Sequence, residues 1–395
     1  MKPIKTNNIL VRVTTVPISL EKLISGQMRF MNEQGFEVYM ISSEYSNSAS
    51  LEKKEKSKYI VVNMYRTISP VKDFFSLVKM VLALKKIKPA IVHTHTPKAG
   101  LVGMLSAWLS GVPIRLHTVA GLPLMESKGA KRWLLEKVEK ITYACATKVY
   151  PNSNNLKEFI LNSKFCKAAK LKVIGNGSSN GIDTDFFRLT PQLVDDAKEL
   201  RHKYNIPQND FIYIFVGRLV KDKGIEELIN AFSDISGNYK NVWLLLVGPT
   251  EPDLDPLSDN CIQQIEKNVK IIHTGYQNDV RQYLSMSNAL VFPSYREGFP
   301  NVPMQAGCFE LPVIVTNING CNEIIVNYEN GLIVPVKDTK ALIKSMEQML
   351  NDTQLYQVMK HNARKMIVER YEQKKIWELI LLEYQSHLKL FNLVS

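Results

Sequence analysis

Short apolar runs rich in Val, Ile, Leu and Phe alternate with helical patterns along nearly the whole chain, and this alternation limits the possible folds more than any other feature. A strand that returns parallel to its neighbour needs a crossover helix, so the pattern calls for parallel sheets covered by helices, an α/β class. A first series of strand-like runs covers residues 9–14, 37–41, 59–63, 90–93, 114–118, 148–151 and 172–174. The turn-forming loop 175–181 interrupts it, and a polar helical segment follows over 191–204. A second series covers 211–216, 242–247, 269–273, 289–292, 313–316 and 332–334, before two final helices over 338–371 and 373–391. We read two doubly wound, Rossmann-like domains, 1–185 and 186–372, joined near 177–200. The C-terminal helix, 373–395, is expected to pack back on the first domain and across both through Trp377, Leu379, Leu381 and Leu382. Ligands of such sheets bind at the carboxyl ends of the strands, so two facing domains place the site in the cleft between them.

A chain of 395 residues is too long for one ordinary core, in keeping with two domains. No stretch reaches the apolar length of a membrane span, and residues 1–8 lead into a strand without an apolar signal core, so a cytoplasmic location is expected. Five cysteines without a CxxC pair read as isolated thiols rather than a disulfide framework or zinc site. Charge is unevenly distributed. Residues 1–190 carry 29 Lys and Arg against 13 Asp and Glu, while the remainder is slightly acidic. Such asymmetry points to an anionic partner of the first half, a membrane surface or a nucleic acid. No nucleic-acid-binding motif appears, which favours the membrane.

The densest functional signal lies between Pro293 and Glu323. The run 289–292 delivers a loop holding Glu297, Gly298 and Phe299, and a short helix follows with Asn301 as its expected N-cap and Pro303 in its first turn. Free N–H groups at a helix start suit phosphates, and a carboxylate beside them suits sugar hydroxyls. At the start of the second domain, run 211–216 ends in Gly217 and Arg218, with Lys223 and Gly224 at the next helix start. Two cations beside free N–H groups suit a diphosphate.

The first domain offers His117 at a strand end, Lys98 just inside a helix, and Gly26 where backbone can approach a ligand. His93 and His95 form an HxH pair without an evident third metal ligand. The triplets Asp183–Asp185 and Asp253–Asp255 match a DxD pattern that arises by chance in a chain this long, so no metal and no cofactor is expected. Lys131, Arg132 and Lys137 decorate a helix that also carries Trp133, beside the apolar loop Leu122–Met125. Basic amphipathic helices of this kind fit a membrane contact as well as ordinary core packing.

Taken together these residues resemble the retaining glycosyltransferases of family four, which have the GT-B fold, and most closely the bacterial enzymes of capsule, O-antigen and lipid-linked oligosaccharide synthesis. The resemblance rests on Gly217-Arg218-Leu219 with Lys223-Gly224, on Asn180–Asp183, and on Glu297-Gly298-Phe299 through Gly320 and Glu323. The first acid of that family's E-x7-E motif falls on Glu297, but the second position is Gln305, and Pro300 stands where many members carry Gly. An amide keeps hydrogen bonds to a ribose without the charge-assisted one, and Pro300 withdraws one N–H.

The resemblance implies a nucleotide-sugar donor, with uridine the expected base, contacted by Gly26, Gly217, Arg218, Lys223, Glu297, Gly298, Phe299, Asn301, Val302 and Gln305. It makes Glu297, His117, Arg218 and Lys223 the catalytic set. It also implies a polyprenyl-diphosphate-linked saccharide acceptor and a peripheral position on the inner face of the cell membrane, with Lys98, Lys131, Arg132 and Lys137 facing acceptor or lipid. The alternative is a GT-B protein that only binds lipid-linked glycan or sugar nucleotide. An epimerase or phosphorylase would need catalytic acids that are not seen, and an oxidoreductase lacks GxGxxG after the first strand.

Overall fold

A computed structural model describes residues 8–394 except 66, 68, 252 and 254; the N-terminal reading of residues 1–7 lies outside them. The chain divides into two compact units, residues 1–181 with 373–395, and residues 182–372. Each is built on one parallel six-stranded sheet.

The first sheet contains β1 (Ile9–Val13), β2 (Glu37–Ser42), β3 (Lys58–Val61), β4 (Ile91–His95), β5 (Ile114–Val119) and β6 (Lys148–Pro151), in the order β3-β2-β1-β4-β5-β6. One face packs with helices Pro70–Ile87, Pro97–Leu109 and Gly129–Cys145 around Met80, Met104 and Tyr143. The other packs with helices Gln27–Glu33 and Gln373–Val394 around Met28, Met31, Ile376 and Tyr384. Strands covered on both faces are largely apolar, which is why most of them read as Val/Ile-rich runs rather than alternating ones.

The second sheet contains β7 (Phe211–Val216), β8 (Val242–Val247), β9 (Ile271–His273), β10 (Ala289–Phe292), β11 (Val313–Thr316) and β12 (Gly331–Val334), in the order β12-β11-β10-β7-β8-β9. After β9 the chain crosses to the other side of β7, so β7 and β10 flank the point where strand order reverses. The carboxyl end of such a switch point is the usual ligand position in an open parallel sheet.

Several expectations need correction. Residues 172–174 form no strand: Leu171 makes one isolated bridge to Val149, and the chain then turns away. The helix expected over 338–371 is two helices, Thr339–Asn351 and Thr353–Tyr371. Asp352 ends the first, and its carboxylate accepts the Leu355 N–H at 3.0 Å to cap the second. On the C-terminal helix the inward stripe is Ile376, Trp377, Ile380, Leu381 and Tyr384, whereas Leu382 is 58% exposed. Among the described residues no helix is long and apolar enough to cross a membrane.

Candidate functional site

The loops after β7 and β10 meet directly. Gly224 has φ +69°, and a Cβ there would lie 2.1 Å from the Pro293 carbonyl oxygen, so only glycine lets the two backbones approach this closely. The Tyr295 N–H donates to the Asp222 carbonyl at 2.8 Å, and Arg296 pairs with the Asp222 carboxylate at 2.7 Å. Asp222 in turn donates its N–H to Asp255 at 2.7 Å. This bracing holds the Lys223 ammonium 2.5 Å from a Glu297 carboxylate oxygen, with both side chains about 15% exposed. Behind Glu297, the Asn319 amide donates to the Gly298 carbonyl at 2.5 Å. Arg218, at the end of β7, pairs with Glu251 at 2.6 Å and is more open to solvent. Lys223, Arg218 and Glu297 therefore share the carboxyl edge of β7 and β10.

Helix Asn301–Cys308 begins at this edge. Its cap is Pro300 (φ −75°, ψ 134°) rather than Asn301, because proline already sits in the extended conformation that a cap requires. Asn301 and Val302 then become its first helical residues, and their N–H groups have no acceptor within their own helix. Pro303 contributes none. Gln305 is half-buried on the same helix. The edge thus offers two cations, two helix-terminal amides and one carboxylate, a set that can hold a diphosphate and grip hydroxyl groups beside it. Neither DxD triplet belongs to it as a cation ligand: Asp183 accepts the N–H groups of Asp185 and Phe186, and Asp255 braces Asp222.

The first unit treats its candidates differently. β5 continues two residues past His117, so the ring is not strand-terminal. It is 2% exposed, lies under helix Pro97–Leu109, and bonds Thr94 through Nδ1 at 2.8 Å. Burial pulls its pKa down to about 4, which makes it a neutral core imidazole. Gly26 is a glycine because the Trp377 ring occupies the space of its Cβ, 2.6 Å away. Its N–H and that of Arg29 go to the buried Glu55 carboxylate, so a protein acid already fills the place expected for a phosphate. Lys98 is paired at 2.6 Å with Asp73, both nearly covered, and ties two helices together. Lys131 and Lys137 are exposed, and Arg132 pairs with Glu136 at 3.0 Å.

His93 and His95 belong to a network that no sequence signal announced. Arg12, wholly buried, contacts His95 Nε2 at 2.8 Å and bonds Gln27 and Tyr384, while His93 contacts Tyr384 at 2.6 Å and Thr118 at 2.8 Å. Burial and the neighbouring guanidinium hold both imidazoles well below their usual range. Asp222, Glu251 and Asn319 were also missed, and Asp255 was read only as part of a chance DxD triplet. Adjacency to Lys223 could have suggested Asp222, and adjacency to Gly320 could have suggested Asn319.

Residues 196–366, which include every member of the β7–β10 edge, match the family model of glycosyl transferases group 1, and residues 21–177 match the glycosyl transferase 4-like domain. The capsular polysaccharide biosynthesis glycosyltransferase CapM of Staphylococcus aureus is 36% identical to this chain, over 97% of this chain and 98% of that protein. The Escherichia coli UDP-Gal:alpha-D-GlcNAc-diphosphoundecaprenol alpha-1,3-galactosyltransferase is 28% identical, over 91% and 93%. Among solved structures, a glycosyltransferase from Rickettsia africae matches with TM-score 0.80 at 22% identity, covering 97% of this chain and 99% of that one. Anabaena Alr3699/HepE in complex with UDP matches with TM-score 0.77 at 18% identity, covering 96% and 100%. The fold shared with these structures is GT-B.

Proposed function

The chain belongs to the group 1 glycosyl transferases, and from that premise we propose that it moves a hexose or N-acetylhexosamine from a UDP-sugar to a lipid-linked saccharide in surface polysaccharide synthesis. The observation that carries the reading is the Lys223–Glu297 pair at 2.5 Å, set between the loops of the two switch-point strands with Arg218 beside it. The names of the Escherichia coli galactosyltransferase and of CapM support the donor, the acceptor and the pathway.

In this scheme the donor diphosphate recruits Lys223 away from Glu297 and Arg218 away from Glu251, and accepts from the N–H groups of Asn301 and Val302. Glu297, released from its pair, takes the hydroxyls of the sugar. The bond between the anomeric carbon and the diphosphate oxygen breaks while the acceptor hydroxyl bonds that carbon from the same face, so configuration is retained. The acceptor proton passes to the departing phosphate oxygen, whose developing charge Arg218, Lys223 and the helix amides stabilise without a metal ion. A lipid-linked acceptor places the protein at the inner face of the membrane as a peripheral enzyme.

The test is transfer of labelled sugar from UDP-sugars to undecaprenyl-diphosphate-linked saccharide. Glu297→Ala is expected to lower turnover by about a thousandfold while leaving the fold intact; retained transfer rejects this site. A second reading, donor binding without transfer, is favoured by Gln305 and Pro300. Tight UDP binding by the natural chain without turnover over the full acceptor panel selects it.

A further inference from the structure

Helix Pro70–Ile87 is apolar on two opposite sides. Ser76, Met80 and Leu84 face the core of the first unit. Val71, Phe74, Phe75, Val78 and Leu82 face outward, and the two phenyl rings and Leu82 are each 60% or more exposed. At about 100° per residue these five positions fall within roughly a 100° sector, one stripe from Val71 to Leu82 that exposed Lys85 closes. Lys72, Lys79 and Lys86, all exposed, recur every seven residues and line one edge of it. The helix's only acid, Asp73, is turned to Lys98. Helix Pro97–Leu109 packs beside it and ends in Trp108, 55% exposed; helix Gly129–Cys145 comes next and presents Trp133, 61% exposed, with Lys137 5.6 Å from its ring centroid. Soluble surfaces seldom leave so many large apolar side chains open on neighbouring helices.

We propose that this three-helix layer is a docking surface for an anionic lipid bilayer, with Phe74 and Phe75 entering the acyl boundary and the lysine row lying among the phosphates. Phenyl rings supply buried area and lysines reach headgroups on their flexible stems, the arrangement of an interfacial helix. A second copy fits less well, because an isologous contact would set lysine row against lysine row. The choice of a bilayer rests on the proposed lipid-linked acceptor, whereas the helix and its stripe stand apart from it.

The test is co-sedimentation of the full chain with phosphatidylcholine vesicles and with vesicles that also contain phosphatidylglycerol. The natural chain is expected to prefer the anionic vesicles. The double variant Phe74→Ser with Phe75→Ser loses about tenfold or more in vesicle affinity, because two rings leave the acyl boundary. Lys72→Gln, Lys79→Gln and Lys86→Gln together remove the preference for anionic lipid. Melting temperatures of the variants show that the exposed changes spare the fold. Unchanged vesicle binding by the phenylalanine variant overturns the proposal, and so does a dimer that the same variant converts to monomer without altered lipid binding. Transfer to a short-chain, water-soluble acceptor separates the two readings. Vesicle binding without transfer sinks the enzyme assignment alone, and transfer with indifference to vesicles sinks the docking surface alone.

Discussion

Gly224→Ala tests whether the two loops position Lys223 against Glu297. The added methyl meets two obstacles. At φ +69° a non-glycine residue costs about 1–2 kcal/mol in the left-handed region. Its Cβ would also stand 2.1 Å from the Pro293 carbonyl oxygen, against ordinary contact beginning at 3.4 Å, so one loop must retreat by roughly 1 Å. That carbonyl is backbone, and Glu297 lies four residues beyond it, so the retreat carries the carboxylate away from the ammonium. A displacement of this size costs about a hundredfold in turnover where catalysis depends on positioning. Stability should fall by about 2–4 kcal/mol, from the dihedral penalty and the shift together. Gly237→Ala serves as the control: it lies in the same helix with nothing within 4 Å of its Cβ, and should be neutral or slightly stabilising. The assays are urea denaturation and kcat/KM for sugar transfer, compared between the two variants. Full transfer activity in Gly224→Ala would refute the claim that loop contact sets the site.

Gln305→Glu restores the carboxylate of the family pattern and should tighten nucleotide binding with turnover intact, as read by isothermal titration; a large loss of turnover would mean the amide itself is required. Trp377→Ala removes the ring over Gly26 and the 2.7 Å bond to Asn180, and should lower stability by about 3–4 kcal/mol in urea denaturation. An unchanged midpoint would show that the C-terminal helix does not secure the first unit. The buried imidazoles His93, His95 and His117 have native pKa values depressed below the unfolded value. The His117 contribution is therefore present above about pH 6.5 and lost as pH falls toward about 4, by about 2 kcal/mol at pH 5, and His93 and His95 act in the same direction. Urea midpoints at pH 7 and pH 5 check this, and equal midpoints contradict it.

The sheets were readable because strands such as Val242–Val247 are buried on both faces and so admit almost no polar residue. The placement of Arg218, Lys223 and Glu297 at one sheet edge was readable for a related reason: each follows a recognisable strand, and position after a strand is a matter of sequence. Residues whose surroundings are assembled from distant parts of the chain were misread. Gly26 looked like an approach point for phosphate, but its neighbours are Trp377 and Glu55. Lys98 looked free for an anion, but Asp73 holds it. His117 looked strand-terminal, but β5 runs two residues past it and the ring is buried. The two apolar stripes of helix Pro70–Ile87 appear only in the structure, because sequence does not say which side of a helix faces the sheet.

In the proposed function the β7–β10 edge holds the diphosphate of a sugar nucleotide. The most direct measurement is the shift in melting temperature over a panel of nucleoside diphosphates and their sugars, for the natural chain and for Lys223→Ala. A selective rise with one nucleotide, uridine first, is expected, and Lys223→Ala should abolish it. A rise equal in both proteins, or none with any nucleotide, would contradict the proposed site.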